Sequence, residues 1–215
     1  DMPEKTEEDF YDENGKRWFK TGDIGRITSE GTVQIIDRKK DLVKLQMGEY
    51  VSLGKVESNL KIHPLVENIC VYGDSTSMFT VALIVPNEKK LGEIAVEVGK
   101  PEDTPREELC RDRAVIANAL ASIQEHGRNM KLEKFEIPKA LTLVLDEWTP
   151  DSGLITAAMK LKRKPIQDKY QDQIDAMYVE LEGGGQKSRK SKKDEVVLKV
   201  DSNDNVKRNN RVGPK

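Results

Sequence analysis

In Lys20-Thr21-Gly22-Asp23-Ile24-Gly25 a carboxylate stands between two glycines. With no neighbouring Cβ in the way, a ligand can approach it closely. Its two oxygens suit a vicinal diol such as a ribose, each accepting from one hydroxyl; a turn carboxylate capping local amides is the alternative reading of the same six residues. A second stretch, Asp37-Arg38-Lys39-Lys40-Asp41-Leu42-Val43-Lys44-Leu45-Gln46-Met47-Gly48-Glu49-Tyr50, runs into residues 52–57. Arg38 offers a planar set of donors matched to phosphate or carboxylate oxygens, and the lysines around it raise the local potential. Alternating charges of this kind also describe a solvated connector, and Gly48 an ordinary turn glycine. The third stretch, Trp148-Thr149-Pro150-Asp151-Ser152-Gly153-Leu154-Ile155-Thr156-Ala157-Ala158-Met159-Lys160-Leu161-Lys162-Arg163-Lys164, carries a lysine on a loop. Such a lysine is a point charge that can be brought to a developing oxyanion. Alone, Lys160, Lys162, Arg163 and Lys164 read equally as a basic surface patch.

The elements that must hold these residues follow from the apolar pattern. Thr6, with an acid three residues later, opens a one-turn helix, and Asn14-Gly15 is a turn dipeptide. Ile24, Ile27, Val33, Ile35 and Ile36, broken by Ser29-Glu30-Gly31, predict short strands in a hairpin. Composition shifts at the charged run 37–41, which marks a boundary. Ser52 is placed to cap a helix whose apolar side is Leu53, Val56 and Leu60, ended by His63-Pro64. Two strands follow over residues 69–72 and 79–85, the second apolar almost throughout and so expected to be buried on both faces. Helices are predicted over 88–98 and, as one longer unit with Leu109, Ile116, Leu120 and Ile123 in a stripe, over 105–126. A strand over 141–145 and a polar helix over 164–178 complete the pattern.

The chain has 215 residues, 36% hydrophobic and 34% charged, which suits one ordinary domain with something attached or two small ones. Its net charge of −2 is uneven: residues 182–215 hold ten Lys/Arg against five Asp/Glu, leaving the remainder acidic. That basic stretch, opening with Gly183-Gly184-Gly185 and lacking aromatics, has too little apolar surface to offset its ordering entropy, and a disordered tail is expected. No apolar run is long enough to cross a bilayer and no secretory signal pattern opens the chain. Cys70, Cys110, His63 and His126 are too few and too scattered for a disulfide framework or a zinc site, so a reduced, intracellular protein is expected.

Trp18-Phe19-Lys20-Thr21-Gly22-Asp23, then Ile36-Asp37-Arg38-Lys39-Lys40-Asp41-Leu42-Val43-Lys44-Leu45-Gln46-Met47-Gly48-Glu49-Tyr50-Val51-Ser52-Leu53-Gly54-Lys55-Val56-Glu57, then the Lys160 loop, occur in that order. Together they closely resemble the C-terminal third of the long-chain fatty acyl-CoA synthetases, enzymes of the adenylate-forming superfamily. The resemblance runs from about residue 5 to residue 178. It implies an α+β fold, the small C-terminal domain of an adenylate-forming enzyme with a mixed or antiparallel sheet flanked by helices. Residues 1–36 would end the large N-terminal domain as a β-hairpin remnant, 37–181 would form the C-terminal lid domain, and 182–215 the basic tail.

In such enzymes a fatty acid and Mg2+·ATP give an acyl-adenylate and pyrophosphate, and the thiol of coenzyme A then displaces AMP. By motif match, Asp23 would hold the ribose hydroxyls, Arg38 would contact the nucleotide, and Asp37 would be the hinge about which the small domain turns. Lys160 would close over the adenylate, and Lys44 to Gly48 would replace it in the thioester-forming pose. A mobile cation serves charge growing on carboxylate and phosphate and would then obstruct the thiol, so mounting both groups on one rotating unit is physically apt. Met159 precedes Lys160 where much of the superfamily has glycine, which leaves Lys162 as an alternative for the closing lysine.

Among fifteen glycines there is no Ser/Thr/Gly-rich loop with a lysine to cradle a triphosphate. The chain is therefore expected to be a C-terminal fragment, inactive alone, of a long-chain-fatty-acid–CoA ligase, with ATP and Mg2+ held mainly by the large domain. The resemblance also suggests the cytosolic face of the endoplasmic reticulum or another lipid-handling membrane. The alternatives are a non-catalytic regulatory module of the same fold, and an adenylate-forming ligase with a different acyl substrate. The basic tail could meet an anionic membrane; nucleic acid is not expected, because no aromatic is interleaved with those cations.

Overall fold

Asn14 and Gly15, both at positive φ (54° and 71°), reverse the chain between β1 (Phe10–Glu13) and β2 (Lys16–Phe19). A two-residue turn with both φ positive matches the twist of the strands it joins, and the pairing sets Phe10 opposite Phe19. The computed structural model describes residues 2–183. Helix α1 (Pro3–Asp9) precedes β1 and starts earlier than the Thr6 signal suggests. A first-turn proline is pre-set for a helix, and the Thr6 hydroxyl donates instead to the Met2 carbonyl. Strands β3 (Asp23–Ile27) and β4 (Val33–Arg38) form the expected second hairpin, with a register shift between Ile24 and Gly25.

Burial begins only after these hairpins. Trp18, Phe19, Ile27, Val33, Ile35 and Ile36 are all exposed, and no described residue before Val43 packs against either core cluster. Strands β5 (Leu42–Lys44) and β6 (Tyr50–Ser52) pair antiparallel and feed directly into α2 (Leu53–Leu60). Ser52 caps α2 as its type predicts, its Oγ accepting from the Lys55 amide.

The central sheet has the order β7 (Val66–Tyr72), β8 (Val81–Pro86), β9 (Ala140–Leu143). The first pair is antiparallel and the second parallel, so the sheet is mixed and the α+β expectation holds. Every residue of β8 is buried. Ala82 and Ile84 join a cluster with Leu53, Val56, Ile94 and Ile123, while Val81, Leu83 and Val85 join Trp148, Ile166 and Ile174 on the opposite face. Thus the continuous apolar run marks a strand sandwiched between helices: α2, α3 (Glu88–Glu97) and α5 (Arg113–Asn129) on one side, α6 (Arg163–Leu181) on the other.

The long helix predicted over 105–126 is two helices. Helix α4 (Arg106–Leu109) is a single turn, and Asp112, extended at φ −74°, ψ 126°, caps α5 by accepting from the Ala114 and Val115 amides. A side-chain cap competes with helix continuation. The buried stripe is accordingly Val115, Ala119, Ile123 and Gly127, with Ile116 and Leu120 only partly buried beside it. Helix α6 is polar on its outer side but buries Ile166, Tyr170, Ile174, Met177 and Tyr178, and it kinks at Tyr170. The tail expected over 182–215 lies, apart from Glu182 and Gly183, outside the described residues.

Candidate functional site

The β3–β4 register sets Asp23 opposite Arg38, and Arg38 Nε reaches Asp23 Oδ1 at 2.9 Å. Arg38 is 67% exposed and Asp23 29%, so this ion pair is screened by water and holds the two side chains only weakly. The Asp23 carboxylate and the planar Arg38 guanidinium are therefore presented together at one strand end.

Asp37, on the same strand, is half-buried and bonded toward the core instead of presented to solvent. Its Oδ1 accepts from the Arg38 amide at 2.7 Å, and its Oδ2 accepts from Ser52 Oγ at 2.5 Å. A Cβ on Gly54 would lie 3.5 Å from the same carboxylate. Asp37 thus sits over the first turn of α2, where the amide dipoles favour a negative charge. This joins the last strand of the exposed hairpins to the first helix of the core.

Lys44 and Gly48 lie in and after β5. Buried Leu45 anchors the turn; its amide donates to the Glu49 carbonyl and its carbonyl accepts from Gly48 N, with Gly48 at φ 98°. The neighbouring Gln46 amide donates to the Ser77 carbonyl. That partner loop is ordered by Asp74, which accepts from Thr76 N, Thr76 Oγ1, Ser77 Oγ and Tyr72 OH. Burial would raise the Asp74 carboxyl, but these hydrogen bonds outweigh it and hold the group below the usual carboxylate range. Lys44 Nζ lies 5.6 Å from the centroid of the Tyr50 ring.

Lys160 ends the exposed tip of an arm. Thr156 N donates to the Lys160 carbonyl, Met159 N to the Thr156 carbonyl and Lys160 N to Thr156 Oγ1, while Ile155 and Leu161 bridge at the base. Met159 takes φ 58°, the left-handed conformation in which glycine is at ease, so its position after Ala157-Ala158 is a turn position filled by a longer side chain. Lys162 is also exposed, but it lies past the bridge, at the start of α6, with its amide donating to the Leu154 carbonyl.

By its neighbours in the chain Arg163 reads as part of a basic surface patch, and there the structure differs. Arg163 is 25% exposed and joins three segments. Its Nη1 and Nη2 each donate to one Glu57 oxygen at 2.7 Å, its Nε to Asp41 Oδ1 at 2.5 Å, and Nη1 also to the Val71 carbonyl at 3.3 Å. Burial opposes the guanidinium charge, but Glu57 and then Asp41 offset it and hold the proton more firmly than usual. Nothing in the linear pattern marks this cluster, because Glu57 and Arg163 are 106 residues apart.

The structure therefore unites Asp23 with Arg38, ties Asp37 to α2, and presents Lys44–Gly48 and Lys160 on two separate projections. Among the described residues no hydrogen bond or ion pair links the Lys160 side chain to Asp23, Arg38 or Lys44.

No family model matches the chain. Individual relatives do. It is 46% identical over 176 residues to long chain acyl-CoA synthetase 8 of Arabidopsis thaliana, covering 81% of this chain and 24% of that protein. It is 44% identical over 164 residues to long-chain-fatty-acid–CoA ligase 1 of Schizosaccharomyces pombe, covering 76% and 24% respectively. Among solved structures it resembles the adenylation domain of carboxylic acid reductase from Segniliparus rugosus, solved with AMP and a co-purified carboxylic acid. That likeness has a TM-score of 0.68 at 28% identity and covers 84% of this chain and 26% of the other. The corresponding domain from Mycobacterium chelonae gives 0.67, also at 28%. The chain spans about a quarter of the length of the curated relatives it matches, and over that stretch it is homologous to proteins named long-chain acyl-CoA synthetases and ligases.

Proposed function

We propose that the chain acts as the C-terminal part of a long-chain fatty acyl-CoA ligase, in which residues 37–181 swing about Asp37 between two working poses. In the first, a fatty-acid carboxylate oxygen attacks the α-phosphorus of ATP, pyrophosphate leaves, and Lys160 stabilises the charge that grows between carboxylate and phosphate. Asp23 accepts from the ribose hydroxyls, and Arg38 leaves its solvent-exposed pairing with Asp23 to contact the nucleotide. In the second pose the coenzyme A thiol attacks the acyl carbon and AMP departs, with Lys44 to Gly48 in the place Lys160 has vacated.

The observation that carries this reading is the mounting of Lys160: an exposed cation at the tip of an arm whose base is packed and ion-paired into the core. The domain division at residues 36 and 37 is supported by the burial pattern. Residues 2–36 contribute nothing to the core, and their exposed Trp18, Phe19, Ile27, Val33, Ile35 and Ile36 offer the apolar surface expected of strands that belong to a larger unit.

Among the described residues no three His, Cys, Asp or Glu side chains converge as a metal site. Mg2+ would be held with the triphosphate mainly by residues of the large domain. Work at a lipid-handling membrane such as the endoplasmic reticulum follows from the acyl substrate, with the basic stretch 187–193 as a contact for anionic lipid; no helix among the described residues is long and apolar enough to cross a membrane.

The test is to fuse the chain in place of the corresponding stretch of the fission-yeast ligase. Acyl-CoA formation by the fusion, and none by the chain alone, is expected. Lys160→Ala in the fusion should slow adenylation by about 100-fold or more while largely sparing thioester formation from supplied acyl-adenylate. Fatty-acid-dependent pyrophosphate release by the 215 residues alone, or equal loss in both steps, would overturn the reading.

A further inference from the structure

The Lys160 arm is secured at both of its roots. On the incoming side Trp148 is buried and its Nε1 donates to Tyr170 OH at 3.2 Å, while Tyr170 OH donates to Asp146 Oδ2 at 2.9 Å. Leu154 and Ile155 are buried beside α6. On the outgoing side, three residues after Lys160, stands Arg163 with Glu57 of α2, Asp41 before β5 and the Val71 carbonyl of β7. Asp41 lies four residues beyond Asp37, and the α2 that carries Glu57 is capped by Ser52, the same hydroxyl that donates to Asp37.

We propose that Arg163 is the positioning residue for Lys160, a guanidinium bolt that fixes the arm to the segment beside Asp37. Rotation at that hinge then carries the lysine through a defined arc instead of leaving it on a loose tether. The inference rests on the role assigned to Lys160 above. Only arginine suits the position. One side chain donates in parallel to both Glu57 oxygens, turns Nε to Asp41 and still serves a carbonyl, which a lysine ammonium cannot do in one geometry. An ion cluster that is largely shielded from water is a weak source of stability compared with apolar packing of similar volume. What it supplies is direction, and a lysine that must meet a reacting phosphate is sensitive to displacement of even 1 Å, at a cost of about 100-fold in rate.

Two measurements test this. In the chain itself, nitroxides placed by Ile62→Cys and Met159→Cys, both exposed positions, report the distance from the end of α2 to the arm. Native Cys70 and Cys110 are buried and take no label under mild conditions. The distance distribution should be narrow, broaden in Arg163→Met and remain broadened in Arg163→Lys, with helical circular dichroism unchanged. Should Arg163→Met fail to fold, Asp41→Asn removes one partner at the rim and should broaden the distribution partially. In the fusion ligase, Arg163→Lys should lower kcat for adenylation by about 100-fold with little change in KM for ATP, and spare thioester formation. A merely structural role would lower both steps together.

An unaltered distance distribution would overturn the proposal whatever Lys160 does. So would normal adenylation by Arg163→Lys in a fusion where Lys160→Ala is impaired, and that result would leave the reading of Lys160 standing. Normal adenylation by Lys160→Ala would instead sink the reading of the lysine, and with it the purpose of the bolt, even if the arm still loosened.

Discussion

Ser52 Oγ donates to Asp37 Oδ2 at 2.5 Å while accepting from the Lys55 amide at 3.2 Å. One hydroxyl thereby caps α2 and tethers the strand that arrives from the exposed hairpins. Ser52→Ala removes both bonds, and a loss of roughly 1–2 kcal/mol in urea unfolding is expected. Ser52→Ala combined with Asp37→Ala should lose less than the sum of the single changes, because the pair shares one interaction. Strict additivity in that double-mutant cycle would show that the two residues are not coupled.

His63 makes stability depend on pH. The Leu65 amide donates to Nδ1 at 3.1 Å, which requires an unprotonated nitrogen there, and Nε2 pairs with Ser122 Oγ at 3.0 Å. Burial, followed by the charges of His126 and Lys90, lowers its pKa below the ordinary 6.5. In the window between the lowered folded value and 6.5, the unfolded chain binds a proton that the folded chain refuses, so stability falls as pH falls. Urea midpoints measured between pH 7.5 and 5 should decline, and His63→Gln should flatten that decline. An equal slope in both proteins would refute this origin.

Both thiols are buried, and neither should react readily in the folded state. Burial, reinforced by the nearby Glu57 charge, pushes Cys70 up to about 12, and burial raises Cys110 as well. A thiol reagent at pH 8 should modify neither residue at the rate of a free thiol, and both after denaturation. Rapid labelling of Cys70 in the native protein would contradict the packing around Arg163.

Met159 at φ 58° bears a side chain in a conformation that costs about 1–2 kcal/mol relative to glycine. Met159→Gly relieves that strain but frees the unfolded chain, so a net change within about 0.5 kcal/mol is expected. Met159→Val, β-branched in the same turn, should destabilise by about 1 kcal/mol or more. Thermal melts of the three proteins give the order.

Local signals were legible wherever a residue's neighbours in the chain decide its conformation. The Asn14-Gly15 turn, the Ser52 cap and the doubly buried β8 all follow from residues within a few positions of each other. The single helix predicted over 105–126 is interrupted because Asp112 takes an extended backbone and its carboxylate caps a second helix, a choice the apolar spacing does not reveal. At the site, the Gly22-Asp23 and Asp37-Arg38 pairs were visible, and strand register accounts for the union of Asp23 with Arg38. Arg163 was not visible. Its partners come from residues 41, 57 and 71, and only folding brings so distant a set to one guanidinium.

Strand β8 separates two apolar interiors and lines both, with Ala82 and Ile84 facing one helical layer and Val81, Leu83 and Val85 the other. Neither layer retains a wall if this strand departs. The helices on the two sides should therefore melt as one cooperative event, and tryptophan fluorescence from Trp148 should report the loss of α5, on the far side of the sheet, at the same denaturant concentration.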